Sequence, residues 1–190
     1  MFLTELKWCG RIISQEGVQY DPRNASGLEN CASPINAGEL CQYIHCIGWM
    51  QKAIPDHARR TSQLRDLLEK AYAKSGHRTK RSIKNIPLTT LGWTDEHEAT
   101  FHGLQRTLRE HLKLAHRQPD LALCIYTDAS DKFWAGIVTQ CEPSELHKAA
   151  HEQIHQPLAF ISAEFTGAEL AWTTFEKEGY VITQTFSRVD

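Results

Sequence analysis

The hydrophobic period of this chain changes once, near residue 121. Apolar residues recur at helical spacing before that point and at strand spacing after it. A chain that switches from a period near 3.6 to a period of 2 is a mixed structure, with helices and strands segregated along the sequence. In the first stretch Leu40, Tyr43, Ile44, Ile47 and Met50 fall on one helix face, and Asn36 with Glu39 marks the helix start. Leu64, Leu67, Leu68 and Ala71 share a face of a second helix, which follows Pro55 and takes Asp56 as its cap. Phe101, Leu104, Leu108 and Leu112 line a third helix capped by Thr94. After residue 120 the pattern predicts strands at 121–127, 133–140 and 157–163, then a helix from about Gly167 to Phe186. Ahead of all these, residues 6–14 and 18–20 read as the two arms of a β-hairpin around a turn at Gly17. Pro22 ends it, and residues 23–35 read as a connection with room for one helical turn. The fold class is therefore α+β, in three consecutive segments at 1–35, 36–118 and 119–190.

Composition narrows the function classes. With 41% hydrophobic and 23% charged residues the chain is globular rather than disordered. No apolar run approaches the roughly 18–20 residues of a membrane span. Glu5 and Lys7 follow the N-terminus too closely for a signal peptide, so an intracellular protein, cytoplasmic or nuclear, is expected. The six cysteines form no CxxC pair and show no zinc-type spacing, which predicts free thiols, with Cys41 and Cys124 in the core. The net charge of −2 hides an asymmetry. Residues 56–84 carry nine Lys/Arg against three Asp/Glu, whereas residues 121–190 carry four against ten. A basic middle and an acidic end suit a polyanion-binding surface beside a carboxylate-rich metal site, or simply two solvated faces of opposite sign. Residues 74–84 hold no acid and read as a mobile loop. Its Lys74, Arg78, Lys80, Arg81 and Lys84 could contact phosphates, but no aromatic is interleaved to read bases.

The first predicted strand ends in Asp128, and the last predicted helix carries Glu176 and Glu178. On that helix Phe175, Ile182 and Phe186 lie within about 20° of one line, which is expected to face the sheet. Glu178 would sit about 60° off that line and Glu176 about 100° off on the other side. Two carboxylates meeting at a sheet edge suit Mg²⁺, a hard cation that prefers oxygen. A pair of such ions could activate water for phosphodiester hydrolysis. The same residues equally suit a turn-capping Asp128 and a rim Glu178. His147, His151 and His155 recur every fourth residue and could present a zinc-binding helix face, or belong to a solvated insertion between strands. Trp8 and Arg11 could stack on or neutralise a nucleic-acid backbone, or merely pack the hairpin.

Taken in order, these pieces resemble the Pol polyprotein of gypsy-class LTR retrotransposons. Trp8, Gly10, Arg11 and Ser14, then Gly17, Val18 and Pro22, resemble the segment that closes the reverse transcriptase palm. Residues 40–60 look like the thumb segment that follows. Trp93 and Thr94 with Phe101 and Leu104 look like the helix before the RNase H domain. Thr127 to Ser130, Gly136, Gln140, Pro157 and Leu158, and Trp172 followed by Glu176 to Glu178, are similar to the first half of that RNase H domain.

The resemblance implies that Asp128 and Glu178 are the first two catalytic carboxylates and would bind Mg²⁺. It implies that the Trp8–Ser14 hairpin positions a primer end, and that the partner is an RNA–DNA hybrid. It also implies limits. The family's polymerase carboxylates lie upstream of the hairpin, and no Tyr-x-Asp-Asp occurs here. The later RNase H carboxylates follow the last helix, and Asp190 comes too soon after it to serve as the third. Gly179 stands where an apolar residue is usual, which would loosen packing. Two carboxylates of four should bind Mg²⁺ poorly and cut slowly or not at all. The strand at 121–127 would be an exposed edge open to self-association. The expected reading is a reverse transcriptase/RNase H fragment with ancestral cleavage of RNA in hybrids. The competing readings are a non-catalytic nucleic-acid-binding module and a decayed transposon relic.

Overall fold

The computed structural model describes residues 4–110 and 113–188; the predicted stripe position Leu112 and the terminal Asp190 lie outside them. The chain forms two compact units, and neither is one continuous stretch. A sheet unit takes residues 1–21, 51–59 and 112–190, and a helical unit takes residues 22–50 and 60–111. The N-terminal strands join the sheet unit because they are hydrogen-bonded to a segment about a hundred residues later.

In the sheet unit, β1 (Glu5–Trp8), β2 (Arg11–Ser14) and β3 (Gly17–Tyr20) form an antiparallel meander in the order β1-β2-β3. The expected single arm at 6–14 is split in two. Cys9 and Gly10 both take positive φ (46° and 71°) between the paired residues Trp8 and Arg11, which is the geometry of a tight two-residue hairpin turn. Residues 113–116 then strap this meander to the rest of the unit. Val18 and Leu114 exchange two backbone bonds of 2.8 and 3.1 Å, and Ala115 N donates to Pro157 O at 2.8 Å. Gly17 is required under the strap, since a Cβ there would lie 2.2 Å from Leu114 O.

The second sheet holds β4 (Ala122–Ala129), β5 (Phe133–Cys141) and β6 (Gln156–Glu164), all antiparallel, in the order β4-β5-β6. Trp134, Val138, Ile161 and Phe165 form its buried face together with Val181 of the last helix. The fully buried Gln140 ties the strap down, its Nε2 donating to His116 O and its Oε1 accepting from Gln118 N.

The last helix runs from Thr174 to Phe186, with Thr173 as its cap, and begins seven residues later than expected because Gly167–Ala171 is a separate 3₁₀ turn. It covers the sheet with the wrong side from the sequence's point of view. Phe175, Ile182 and Phe186 are 88, 46 and 57% exposed, while Lys177, Val181 and Thr185 are buried. The cause is a close approach. Gly136 of β5 lies directly beneath Thr185, and a Cβ at Gly136 would be 2.3 Å from Thr185 Oγ1. Only a short side chain fits there, so the large residues turn outward. Lys177 is buried because its Nζ donates to Asp131 O (2.9 Å) and lies 5.2 Å from the centre of the Phe165 ring. Gly179 does not loosen the packing as expected, because it is exposed and no atom lies within 4 Å of where its Cβ would be.

In the helical unit the amphipathic patterns match the burial. Helices occur at Pro22–Glu29, Ala37–Trp49, Lys80–Ile83 and Asp95–Arg109, and the helix His57–Ser75 enters this unit after Arg59. Pro22 opens a full eight-residue helix where a single turn was expected. Leu40, Ile47, Leu64, Leu67, Ala71 and Phe101 are fully buried. Asn36 caps as expected, accepting from Glu39 N at 2.9 Å, and Thr94 forms a capping box with His97. The basic stretch expected as a mobile loop is instead folded: Thr79 caps a helical turn and Ile83 is fully buried beneath it. No helix among the described residues is long and apolar enough to cross a membrane.

Candidate nucleic-acid and metal site

Strand alternation decides where Asp128 points. Ile125 and Ala129 pack against the core cluster that includes Val181 of the last helix. Residues of the opposite parity, Cys124, Tyr126 and Asp128, therefore face away from that helix. Asp128 pairs with Ala135 across β4–β5, is exposed, and makes no side-chain hydrogen bond or ion pair among the described residues. It lines a cleft of about 260 Å³ with Tyr126, Phe133, Ile137, Asp56 and Arg59. Arg59 Nε donates to Asp56 Oδ2 on the rim of this cleft. Ser130, at the end of the strand motif, closes the turn: its Oγ accepts from Phe133 N and donates to Phe133 O.

Glu178 is half-buried at the flank of the last helix's buried face. Its neighbour Lys177 reaches Asp131 O, three residues beyond Asp128, but Asp128 faces away from the helix that carries Glu178. Glu178 does not line the Asp128 cleft. Glu176 is occupied in the cap, where Oε2 accepts from Thr173 N and Thr173 Oγ1, and these bonds hold its carboxyl below the usual range. Asp56 and Arg59 were not expected at the site. More than sixty residues separate them from β4, and no local pattern in the sequence signals that contact.

The predicted nucleic-acid contacts fall in both units. In the sheet unit Trp8 is 63% exposed, Gly10 shapes the turn, and the Arg11 guanidinium lies 5.3 Å from the centre of the Tyr20 ring. In the helical unit, Arg78 forms a two-pronged pair with Glu69 (2.5 and 2.6 Å) and stacks over Tyr72. The pairing holds the Glu69 carboxyl below its ordinary range. Lys74 Nζ donates to Thr90 Oγ1 and Lys80 Nζ to Gln42 Oε1. Arg81 and Lys84 are exposed and make no such bond among the described residues.

The three insertion histidines do not share a helix face. Residues 143–147 and 150–152 form separate 3₁₀ turns, and His155 instead meets Tyr126, with Nε2 at 3.2 Å from the hydroxyl. Cys41 is buried as expected, but Cys124 is half-buried and Cys141 is the buried thiol of the second sheet.

Comparison with known proteins places this arrangement. A family model described as the RNase H-like domain found in reverse transcriptase matches residues 93–190. The chain is 28% identical over 178 residues to the enzymatic polyprotein of Carnation etched ring virus, covering 89% of the chain and 25% of that polyprotein. It is 24% identical over 176 residues to the retrovirus-related Pol polyprotein from transposon opus of Drosophila melanogaster, covering 92% and 16% respectively. The chain thus spans a quarter or less of the length of these relatives. Among solved structures, the foamy viral protease-reverse transcriptase in complex with dsDNA superposes with a TM-score of 0.71 at 19% identity, over 99% of this chain and 34% of that one. The same protein in complex with an RNA/DNA hybrid gives 0.69, over 97% and 22%.

Proposed function

Because the chain belongs to the family of RNase H-like domains found in reverse transcriptases, we propose that it engages an RNA–DNA hybrid and supplies Asp128 and Glu178 to a Mg²⁺-dependent cleavage site. The observation that carries this reading is the Asp128 carboxylate, exposed and unpaired among the described residues at the mouth of its cleft. Carboxylate oxygens are the ligands Mg²⁺ prefers. The residues present do not complete such a centre. Glu178 stands outside the cleft, and no cluster of three acidic, His or Cys ligands includes Asp128 among the described residues. The chain's own part is therefore to present the carboxylates and to hold a duplex, and cleavage by the chain alone is weak or nil.

Duplex contact rests on electrostatics. Arg81 and Lys84 are cations whose charge is not satisfied locally, and the foamy viral relatives bind dsDNA or an RNA/DNA hybrid. Binding should weaken as salt rises, and the double variant Arg81→Ala/Lys84→Ala should flatten the log–log salt slope by about 2 units. The direct test is Mg²⁺-dependent cleavage of a labelled hybrid by the chain and by Asp128→Asn. Any cleavage should vanish in the variant while hybrid binding stays within about twofold. Undiminished cleavage in the variant, or binding indifferent to salt, would sink the proposal. If neither protein cuts but both bind, the non-catalytic module is the reading that stands.

A second copy is a further partner. β4 forms one edge of its sheet, with Leu123 and Tyr126 exposed along it, and such an edge invites pairing with another strand. Concentration-dependent association in light scattering is expected; a monomer at every concentration would count against it.

A further inference from the structure

Away from Asp128, at the opposite end of β4, the sheet gathers three ligands that the sequence separates. The register pairs Cys124 with Thr139 and Ala122 with Cys141, so the two cysteines are diagonal neighbours on one face of β4–β5. Their sulfurs lie 3.7 Å apart. His155, just before β6, completes the group: one ring nitrogen and both sulfurs lie within 4.8 Å of one another. We propose that Cys124, Cys141 and His155 form a binding site for a thiophilic divalent cation, Zn²⁺, that staples β4, β5 and the entry to β6.

Three observations support the site. The first is spacing. Zinc–sulfur bonds of ~2.3 Å at a tetrahedral angle place two sulfurs ~3.8 Å apart, which is the separation found here, whereas a disulfide would need ~2 Å. The second is protonation. The Tyr126 hydroxyl donates its proton to Gln153 Oε1 at 3.2 Å, so toward His155 Nε2, also 3.2 Å away, it can only accept. Nε2 is therefore the nitrogen that presents its proton to the hydroxyl, and in the neutral ring this leaves the lone pair on Nδ1. Nδ1 is buried and makes no hydrogen bond. A neutral imidazole oriented through its second nitrogen is the form that binds metals. The third is support. Glu145 accepts from Ile154 N and from Lys148 Nζ, which pins the backbone immediately before His155. No fourth acidic, His or Cys ligand joins the group among the described residues, so water or an exogenous ligand would complete the tetrahedron.

Both thiols must lose protons for zinc to bind, and burial together with the neighbouring Cys141 raises the Cys124 thiol. Affinity should therefore rise with pH and fall on acidification. The test is a Co²⁺ titration of the reduced, metal-free chain. A thiolate-to-cobalt charge-transfer band with tetrahedral visible bands should saturate at one metal per chain and disappear on adding Zn²⁺. Cys124→Ser and His155→Gln should each abolish saturation, Tyr126→Phe should weaken it by about tenfold, and Cys9→Ser/Cys46→Ser should leave it unchanged. His155 is only half-buried, so His155→Gln is expected to melt like the metal-free wild type, which separates loss of binding from loss of fold. No charge-transfer band in the reduced wild type, or an unchanged band in either His155→Gln or Cys124→Ser, would overturn the site.

Discussion

The helical unit and the sheet unit treat their apolar residues differently. In the helical unit nearly every predicted stripe is the buried stripe: Leu40, Ile47, Leu64, Leu67, Phe101 and Leu104 are all 2% exposed or less. In the sheet unit the most regular apolar stripe, on the last helix, points to solvent, and the helix is held by a lysine, a valine and a threonine. Periodicity reports which residues share a face of a helix. It does not report which face meets the neighbour when that neighbour offers a glycine-floored groove rather than a flat apolar surface. A local hollow at Gly136 favours Thr185 over a phenylalanine, because overpacking there would cost more than the buried apolar area returns.

The sharpest way to break this comparison is to truncate one phenylalanine in each unit. Phe101→Ala removes a fully buried ring that packs 4.5 Å from the Tyr43 ring and should cost about 3–5 kcal/mol in denaturant unfolding. Phe175→Ala, from a site 88% exposed, should stay within about 0.5 kcal/mol. Equal losses would mean that the stripe is buried after all. A smaller effect is expected from Gly136→Ala, at about 1–3 kcal/mol, because its new methyl meets Thr185. Most of that cost should vanish in a Thr185→Ala background, and a double-mutant cycle without coupling would refute the close approach. The smallest change is a gain. Gly179→Ala should raise stability by about 0.5–1 kcal/mol, since the position is exposed, helical and open.

How much could be read in advance depended on the range of the interaction. The Asn36 and Thr94 caps, the helix faces of residues 40–50 and 64–71, and the three strands after residue 121 depend on neighbours a few positions away, and they fold as expected. The split at Cys9 and Gly10 was missed because a β-prone run conceals a turn that needs positive φ. Asp128 was visible as the polar end of an apolar strand. The cleft around it was not, since Asp56 and Arg59 arrive from a separate stretch of chain. Sequence spacing could not signal the Cys124–Cys141 pair for the same reason. Cys124 and Cys141 are seventeen residues apart in sequence yet adjacent across one strand pair, while three evenly spaced histidines share no face.

The sequence by itself determined the order of elements, their hydrophobic periods, most of their caps and the family signature around Asp128 and Glu178. Those properties arise from backbone geometry and local hydrogen bonding, which act within a few residues. Only the tertiary structure decided which face of the last helix is buried, that residues 113–116 join the first meander to the second sheet, and which side chains stand beside Asp128 or beside Cys124. Each of these is set by strand register and close packing between distant segments, and a change of one residue in register or one methyl at Gly136 would decide them differently.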